Sequence, residues 1–311
     1  MPLFSVVIPL YNKESFITKT LGSALAQTFT DFEIIIVNDG STDKGGDIVQ
    51  TFKDVRIHYI NTENRGVSAA RNTGIKAAKG ELIAFLDADD FWEPNHIEAL
   101  YNLYIKYPEA GMYCSRYSIH IGNGALKKPV FKGISEDYYG IVESPFSASV
   151  NNRIAQTSAV CMPKNILEAL GGFNENVTNM EDTELWTKLM LSAPVCITNT
   201  VTVVYNADVP QSLTKLSLSR QHLMDFNQFK NEEKLNKSLK AFIDIYRVEY
   251  ALKYRIAGDI AHSKSLYSDI DGKNVAFKTK LLFSLPPLIL RSMLRLKHWL
   301  QSKGIAVSVY N

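Results

Sequence analysis

Apolar and polar positions fall in alternating blocks through the first 110 residues. Phe4 to Ile8, Glu33 to Val37, Arg56 to Ile60 and Glu81 to Leu86 are mainly apolar runs of strand length, the pattern of strands buried on both faces. Between them, Lys13 to Gln27, about Asp43 to Phe52, Gly66 to Ala78 and Pro94 to Tyr107 repeat apolar residues every three or four positions. That period predicts amphipathic helices, with Pro94 tolerated in a first turn. The turn Asn38-Asp39-Gly40-Ser41 closes the second strand. Strands alternating with helices through short connections imply right-handed crossovers and a mostly parallel sheet.

Past about Met112 the pattern becomes mixed. Strand-like runs at Tyr113 to Ile121, Thr157 to Met162 and Val201 to Tyr205 surround one clear helix, Asp182 to Leu191. Residues 122–155 are rich in Gly, Ser, Asn and Pro and read as a loop-rich insertion. Beyond about Ser212 the chain turns helical and amphipathic as far as roughly Ser268. The stretch Lys273 to Asn311 carries seven Lys or Arg and no acidic residue. Within it, Leu288 to Leu300 predicts a helix with Arg291, Arg295 and His298 on one face and Leu, Ile, Met and Trp on the other. Two readings fit: a helix lying on an anionic membrane, or a core helix docking on the domain.

Composition narrows the class. A net charge of +2 lacks the basic excess of a dedicated nucleic-acid binder. Cys114, Cys161 and Cys196 are odd in number and widely spaced, predicting free thiols in a reducing compartment. Met1 to Pro9 reads as a first strand and not as a leader, so the sequons at Asn176 and Asn236 read as coincidental. No apolar run reaches the ~18 residues that span a bilayer.

The chemistry concentrates where strands end. The fourth strand stops at Asp87-Ala88-Asp89-Asp90, three carboxylates in four residues. Ligands of open α/β sheets gather at strand carboxyl ends, and carboxylates at this spacing suit Mg²⁺ or Mn²⁺. A helix cap after the strand is the plainer alternative. After the first strand come Pro9, Leu10, Tyr11 and Asn12, with Glu14 two residues on. Tyr11 could stack on a base, and Asp39, after the second strand, could accept a base N–H. Arg71, beyond Asn64-Arg65-Gly66, offers a fixed positive charge for a base or diphosphate. Asn179-Met180-Glu181-Asp182 precedes the helix containing Trp186; it is either a capping carboxylate or a general base. No G-x-G-x-x-G follows the first strand, so the dehydrogenase fingerprint is missing.

These segments, from Val6-Val7-Ile8-Pro9-Leu10-Tyr11-Asn12 to Gly171-Gly172-Phe173 with Glu181-Asp182, resemble family 2 glycosyltransferases in order and spacing. The resemblance, over residues 4–205, implies an α/β GT-A fold. Its parts are a mostly parallel, Rossmann-like nucleotide-binding sheet, a mixed acceptor-side half and a C-terminal helical extension. It implies a catalytic domain at 1–210, with a nucleotide-sugar half at about 1–110 and an acceptor half at 111–210, followed by a helical region at 211–311.

The implied activity is inverting transfer of one sugar from a nucleotide-diphosphate sugar, UDP by default, to a hydroxyl of a glycan or glycolipid in cell-surface polysaccharide synthesis. The implied donor-binding residues are Pro9, Tyr11, Asn12, Glu14, Asp39, Arg71, Asp87 and Ala88. Asp89, with Asp87, is the implied ligand of a divalent metal, Mn or Mg. Asp182 is the implied base, with Glu181 raising its pKa as a neighbouring like charge. Asp90 is left as the structural cap.

Many relatives carry a His shortly after the last strand; here Tyr205-Asn206-Ala207-Asp208 has none, and Asp208 is the candidate substitute. Trp186 lacks the Gln-x-x-Arg-Trp sequence of processive synthases. The expected setting is cytoplasmic, either free or peripheral at the inner face of the cell membrane. The alternatives are transfer to a polyprenyl phosphate, which needs no base, and an inactive nucleotide-sugar-binding module.

Overall fold

The computed structural model describes residues 1–121, 124–209, 218 and 221–302. The expected start of the helical region near Ser212 and the basic tail beyond Ser302 lie outside the described residues, as does the side chain of His298. By its internal contacts the chain divides into two units, Met1–Leu216 with Gln221–Met224, and Ser217–Arg220 with Asp225–Asn311.

In the first unit, β1 (Phe4–Leu10) and β2 (Phe32–Asp39) are buried at every position. Helix α1 (Ile17–Leu25) connects them. Helix α2 (Gly45–Thr51) leads to β3 (Ile57–Thr62), and α3 (Val67–Ala77) leads to β4 (Leu82–Phe85). Pairs β1–β2, β2–β3 and β1–β4 are all parallel, as the strand–helix alternation predicts. Gly74 of α3 lets the helix lie directly on the sheet: a Cβ there would sit 2.3 Å from Val7 Cγ1.

The remainder of this unit is mixed. It contains β5 (Phe91–Trp92), α4 (His96–Lys106), β6 (Met112–His120), β7 (Leu126–Lys127), β8 (Gly140–Ile141) and α5 (Pro145–Ala148). A 3₁₀ turn at Thr157–Ala159 enters β9 (Val160–Pro163); α6 (Lys164–Ala169), α7 (Glu181–Ser192) and β10 (Val195–Asn206) follow. The sheet runs β3-β2-β1-β4-β9-β6-β10-β5, with β9 antiparallel to both β4 and β6. This is an α/β GT-A architecture. The structure departs from the sequence reading at Thr157–Ala159, a 3₁₀ turn where a strand was expected, at β10, which begins at Val195, and at two helix starts. Helix α4 begins at His96, two residues past Pro94, and α1 begins at Ile17 because residues 12–14 are tied into the loop after β2.

The second unit is helical: α8 (Lys230–Leu235), α9 (Lys237–Ala257), α10 (Ile260–Ser268), α11 (Phe277–Ser284) and α12 (Pro287–Ser302). Asn236, one of the two sequon positions, caps α9 by accepting the Leu239 N–H at 3.0 Å. Arg247, 1% exposed, is held by Glu233 and Asp244, so this unit's buried charge is internally matched.

Candidate active site

The strand order reverses between β1 and β4, and the chain separates there. Leu86 N–H still reaches the Val7 carbonyl at 3.0 Å, but Asp87 N–H turns to Ser158 Oγ, also at 3.0 Å. A crevice outside the strand carboxyl ends is the expected ligand position in an open α/β sheet. The candidate residues lie on the segments that follow these strand ends and at the start of α7.

On the β1–β2 side the loops are stitched together. Asn12, with φ 51°, accepts the Thr42 N–H at 2.8 Å, and Glu14 accepts the Lys44 N–H at 2.9 Å. Asp39 is 3% exposed, and its two oxygens accept the N–H groups of Arg65 and Gly66, each at 2.8 Å. Its carboxylate thus fixes the entry to α3, a use that the reading of it as a base acceptor did not foresee. Pro9 is buried within β1, paired with Val37 on a stretch that β4 does not reach, so its missing N–H leaves no gap in that ladder. Tyr11 is 46% exposed at the strand end.

Across the crevice, Arg71 is 4% exposed. It donates Nη2 to Asp87 Oδ1 at 2.7 Å and Nη1 to Glu181 Oε1 at 2.8 Å. Arg71, which the resemblance assigns to the donor, is a buried link between the end of β4 and the start of α7. Burial pushes its pKa down, and the Asp87 and Glu181 charges reverse that, holding it above its ordinary value. Met180, with φ 74°, sets the sharp entry to α7; it and Asn12 are the two non-glycine residues at positive φ among the described residues. Left-handed backbone at such residues is stored strain, and both instances border this crevice.

Asp89 pairs with Lys13 at 2.6 Å, with the two side chains 18% and 19% exposed. Burial and the Asp87 charge push its pKa up against the pull of Lys13. Ala88 is 2% exposed, and its carbonyl accepts the Thr20 hydroxyl at 3.0 Å. Asp90 is not a helix cap. It is fully buried, accepting Ser158 Oγ at 2.5 Å and Asn206 N–H at 2.8 Å, and so ties β4 to the 3₁₀ turn and to β10. Burial, then the Asp89 and Asp87 charges, push its pKa well above the carboxylate range.

Asp182 receives Arg153 Nη1 at 3.0 Å and Thr183 N–H at 2.6 Å. Burial raises its pKa, but Arg153, then Arg71 and the Thr183 hydrogen bonds, outweigh that and hold it below the ordinary value. The raised pKa expected from Glu181 is therefore corrected: the nearby cations win. Glu181 carries the upward shift, from burial first and then from the Asp182 charge, against Arg71. Asp208 is exposed beyond β10, its N–H on Asn206 Oδ1 at 3.2 Å.

Lys13 and Arg153 are the residues that sequence reasoning missed. Lys13 stands inside the Tyr11–Glu14 cluster, and its charge opposite the acidic strand end was the available signal. Arg153 lies in the loop-rich insertion and carried none.

Among the described residues no three His, Cys, Asp or Glu side chains gather as a complete metal cage. The donor set does fit a site finished by substrate oxygens, in which the protein gives one or two carboxylates. Asp89 already holds a cationic group, the Lys13 ammonium, and Asp87 lies beside it, 26% exposed.

A mixed α/β sheet whose first half is parallel, with acidic residues at the switch point, is the plan of GT-A proteins, and the comparisons narrow it further. The family model for Glycosyl transferase family 2 matches residues 5–167. The chain belongs to that family. It is similar to the glycosyltransferase GlyA of Streptococcus pneumoniae serotype 4, 38% identical over 137 residues, which cover 43% of this chain and 19% of GlyA. It is also similar to the uncharacterized glycosyltransferase EpsJ of Bacillus subtilis, 50% identical over 93 residues, 29% of this chain and 27% of EpsJ. These matches thus span about a fifth and a quarter of the two relatives. Crystal structures of S. aureus TarS 1-349 share the fold. The UDP complex superposes with a TM-score of 0.58 at 19% identity, covering 86% of this chain and 90% of that one. The UDP-GlcNAc complex gives 0.61 at 18% identity, covering 86% and 91%.

Proposed function

We propose that this chain transfers a single sugar, with inversion, from a UDP-sugar to a hydroxyl of a glycan or glycolipid acceptor in cell-surface polysaccharide synthesis. The observation that carries the reading is the Asp87–Arg71–Glu181 link, which fixes the acidic strand end against the helix start bearing Asp182. Residues 1–110 hold the nucleotide sugar in this reading, residues 111–210 the acceptor, and residues 211–311 form the helical extension. The UDP and UDP-GlcNAc complexes of TarS support UDP as the nucleotide. The three free, buried cysteines support a cytoplasmic, reducing setting.

Tyr11 offers its exposed ring to the base, on loops braced by Asn12, Glu14 and Asp39. Asp182, kept ionised by Arg153, accepts the acceptor hydroxyl proton as that oxygen attacks the anomeric carbon. The bond to the diphosphate breaks in the same displacement, through an oxocarbenium-like state as in glycoside hydrolysis. Glu181 keeps Arg71 in place behind the base. A divalent ion, Mn²⁺ or Mg²⁺, held by Asp89 and Asp87 supplies charge neutralisation to the departing diphosphate when bound.

Asp182→Asn tests the assignment. Turnover should fall about 10²–10⁴-fold, the usual worth of a general base, while the UDP-induced rise in melting temperature stays that of the wild type. Near-normal turnover removes Asp182 from the role and favours a phosphate acceptor, which needs no base.

A further inference from the structure

Helix α12 has two apolar faces, and α9 covers one. Leu290 is buried and Leu294 half-buried, four residues apart, on the side packed against α9. Arg291 belongs to this side as well. It donates Nε to the Ile256 carbonyl at 2.5 Å and Nη2 to the Ala257 carbonyl at 2.7 Å, satisfying the last turn of α9. The sequence grouped Arg291 with Arg295 on a single basic face; the structure spends it as a latch.

On the opposite side Leu288, Ile289, Met293, Leu296 and Trp299 are 73%, 46%, 43%, 56% and 58% exposed. Their spacing forms one continuous stripe along the helix. Contiguous exposed apolar surface of this kind marks an interaction site. In the same unit, helix α11 carries Phe277 and Leu281, one turn apart, 81% and 56% exposed, interleaved with Lys278 and Lys280.

Charge selects the occupant. Residues 273–311 hold seven Lys or Arg and no carboxylate side chain, and Lys273, Lys278, Lys280 and Arg295 are exposed. Two copies meeting through residues 273–311 would set like charges together, with no carboxylate side chain within that stretch to neutralise them. Anionic headgroups complement both features, the cationic flank and the apolar stripe. We infer that α12 lies in the interface of an anionic lipid bilayer, its outer stripe at the acyl boundary and its inner face on α9. No helix among the described residues is long and apolar enough to cross a membrane, so this contact lies on the surface. All these residues belong to the second unit, so the inference does not depend on the transfer chemistry.

The full chain, sedimented with vesicles of phosphatidylcholine alone or with about 30% phosphatidylglycerol, tests this. Trp92 and Trp186 are 4% and 2% exposed, so a blue shift on vesicle addition reports Trp299. Binding and the shift should require phosphatidylglycerol. Partitioning should drop about fivefold for each of Lys280→Gln and Arg295→Gln, and at least about tenfold for Met293→Glu with Leu296→Glu. Helical circular dichroism checks the double variant, and salt-induced release of the wild type gives a readout free of substitution. Equal binding to neutral vesicles, no binding, or partitioning unchanged by the Glu pair overturns the inference. So does a dimer in ultracentrifugation that the Glu pair dissolves without any lipid binding, which hands the stripe to a second copy.

Discussion

Arg71→Met removes the cation that two crevice carboxylates share. Breaking a fully buried ion pair by deleting one partner costs about 3–5 kcal/mol. The cost here should be smaller, because Asp87 is 26% exposed and hydrates readily, whereas Glu181, at 11%, does not. We expect a loss of about 2–3 kcal/mol near pH 7.5. The pH dependence is the sharper test. Glu181 is already pushed above its ordinary value by burial and then by Asp182, with Arg71 pulling it back. Without Arg71 its folded pKa rises further above the unfolded one, so the folded variant binds more protons in that window. Its stability is then greatest on the acid side and falls as pH rises through the window, at no more than about 1.36 kcal/mol per pH unit for one group. The deficit against wild type should therefore shrink by about 1–2 kcal/mol between roughly pH 7.5 and pH 5.

Because the chain has two units, a single whole-molecule transition is the wrong observable. Urea unfolding followed by tryptophan fluorescence in a Trp299→Phe background reads Trp92 and Trp186, both buried in the first unit. A deficit under about 0.5 kcal/mol, or one equal at both pH values, refutes the claim that Arg71 neutralises Glu181.

Two further outcomes follow from the same charge arrangement. Arg153→Gln should move the acid limb of the kcat/KM–pH profile to higher pH, because Arg153 is the foremost attraction holding Asp182 below its ordinary value; a profile identical to wild type removes that role. Lys13→Met should strengthen Mn²⁺ binding in the absence of donor about fivefold, the size of a partly exposed ion pair, since Asp89 no longer satisfies an ammonium. Paramagnetic resonance of free Mn²⁺ reads this, and unchanged or weaker affinity takes Asp89 out of the metal reading.

The sequence carried the sheet further than it carried the site, for a physical reason. Runs such as Phe4–Leu10 and Phe32–Asp39 are buried at every position, so a local apolar block was enough to identify a strand. The two-residue strands Phe91–Trp92 and Gly140–Ile141 owe their form to pairing with β10 and left no local pattern. The carboxylates were legible because an apolar run ends on them, but their partners were not. Lys13 reaches Asp89 across 76 positions, and Arg71 reaches Glu181 across 110. Asp90 reads as a cap only until Asn206, 116 positions away, is folded onto it.

The misjudged pKa of Asp182 has the same origin. Adjacency in sequence suggests that Glu181 dominates its neighbour, yet successive residues of a helix point about 100° apart. Entering α7, Glu181 turns to Arg71 while Asp182 turns to Arg153, so each carboxylate meets its own guanidinium at 3.0 Å or less. At Asp182 two guanidinium charges, Arg153 and then Arg71, and the Thr183 hydrogen bonds outweigh burial, while at Glu181 burial and the Asp182 charge outweigh Arg71. The proposed base, Asp182, is therefore held below its ordinary pKa by an arginine from a loop in which the sequence showed no motif.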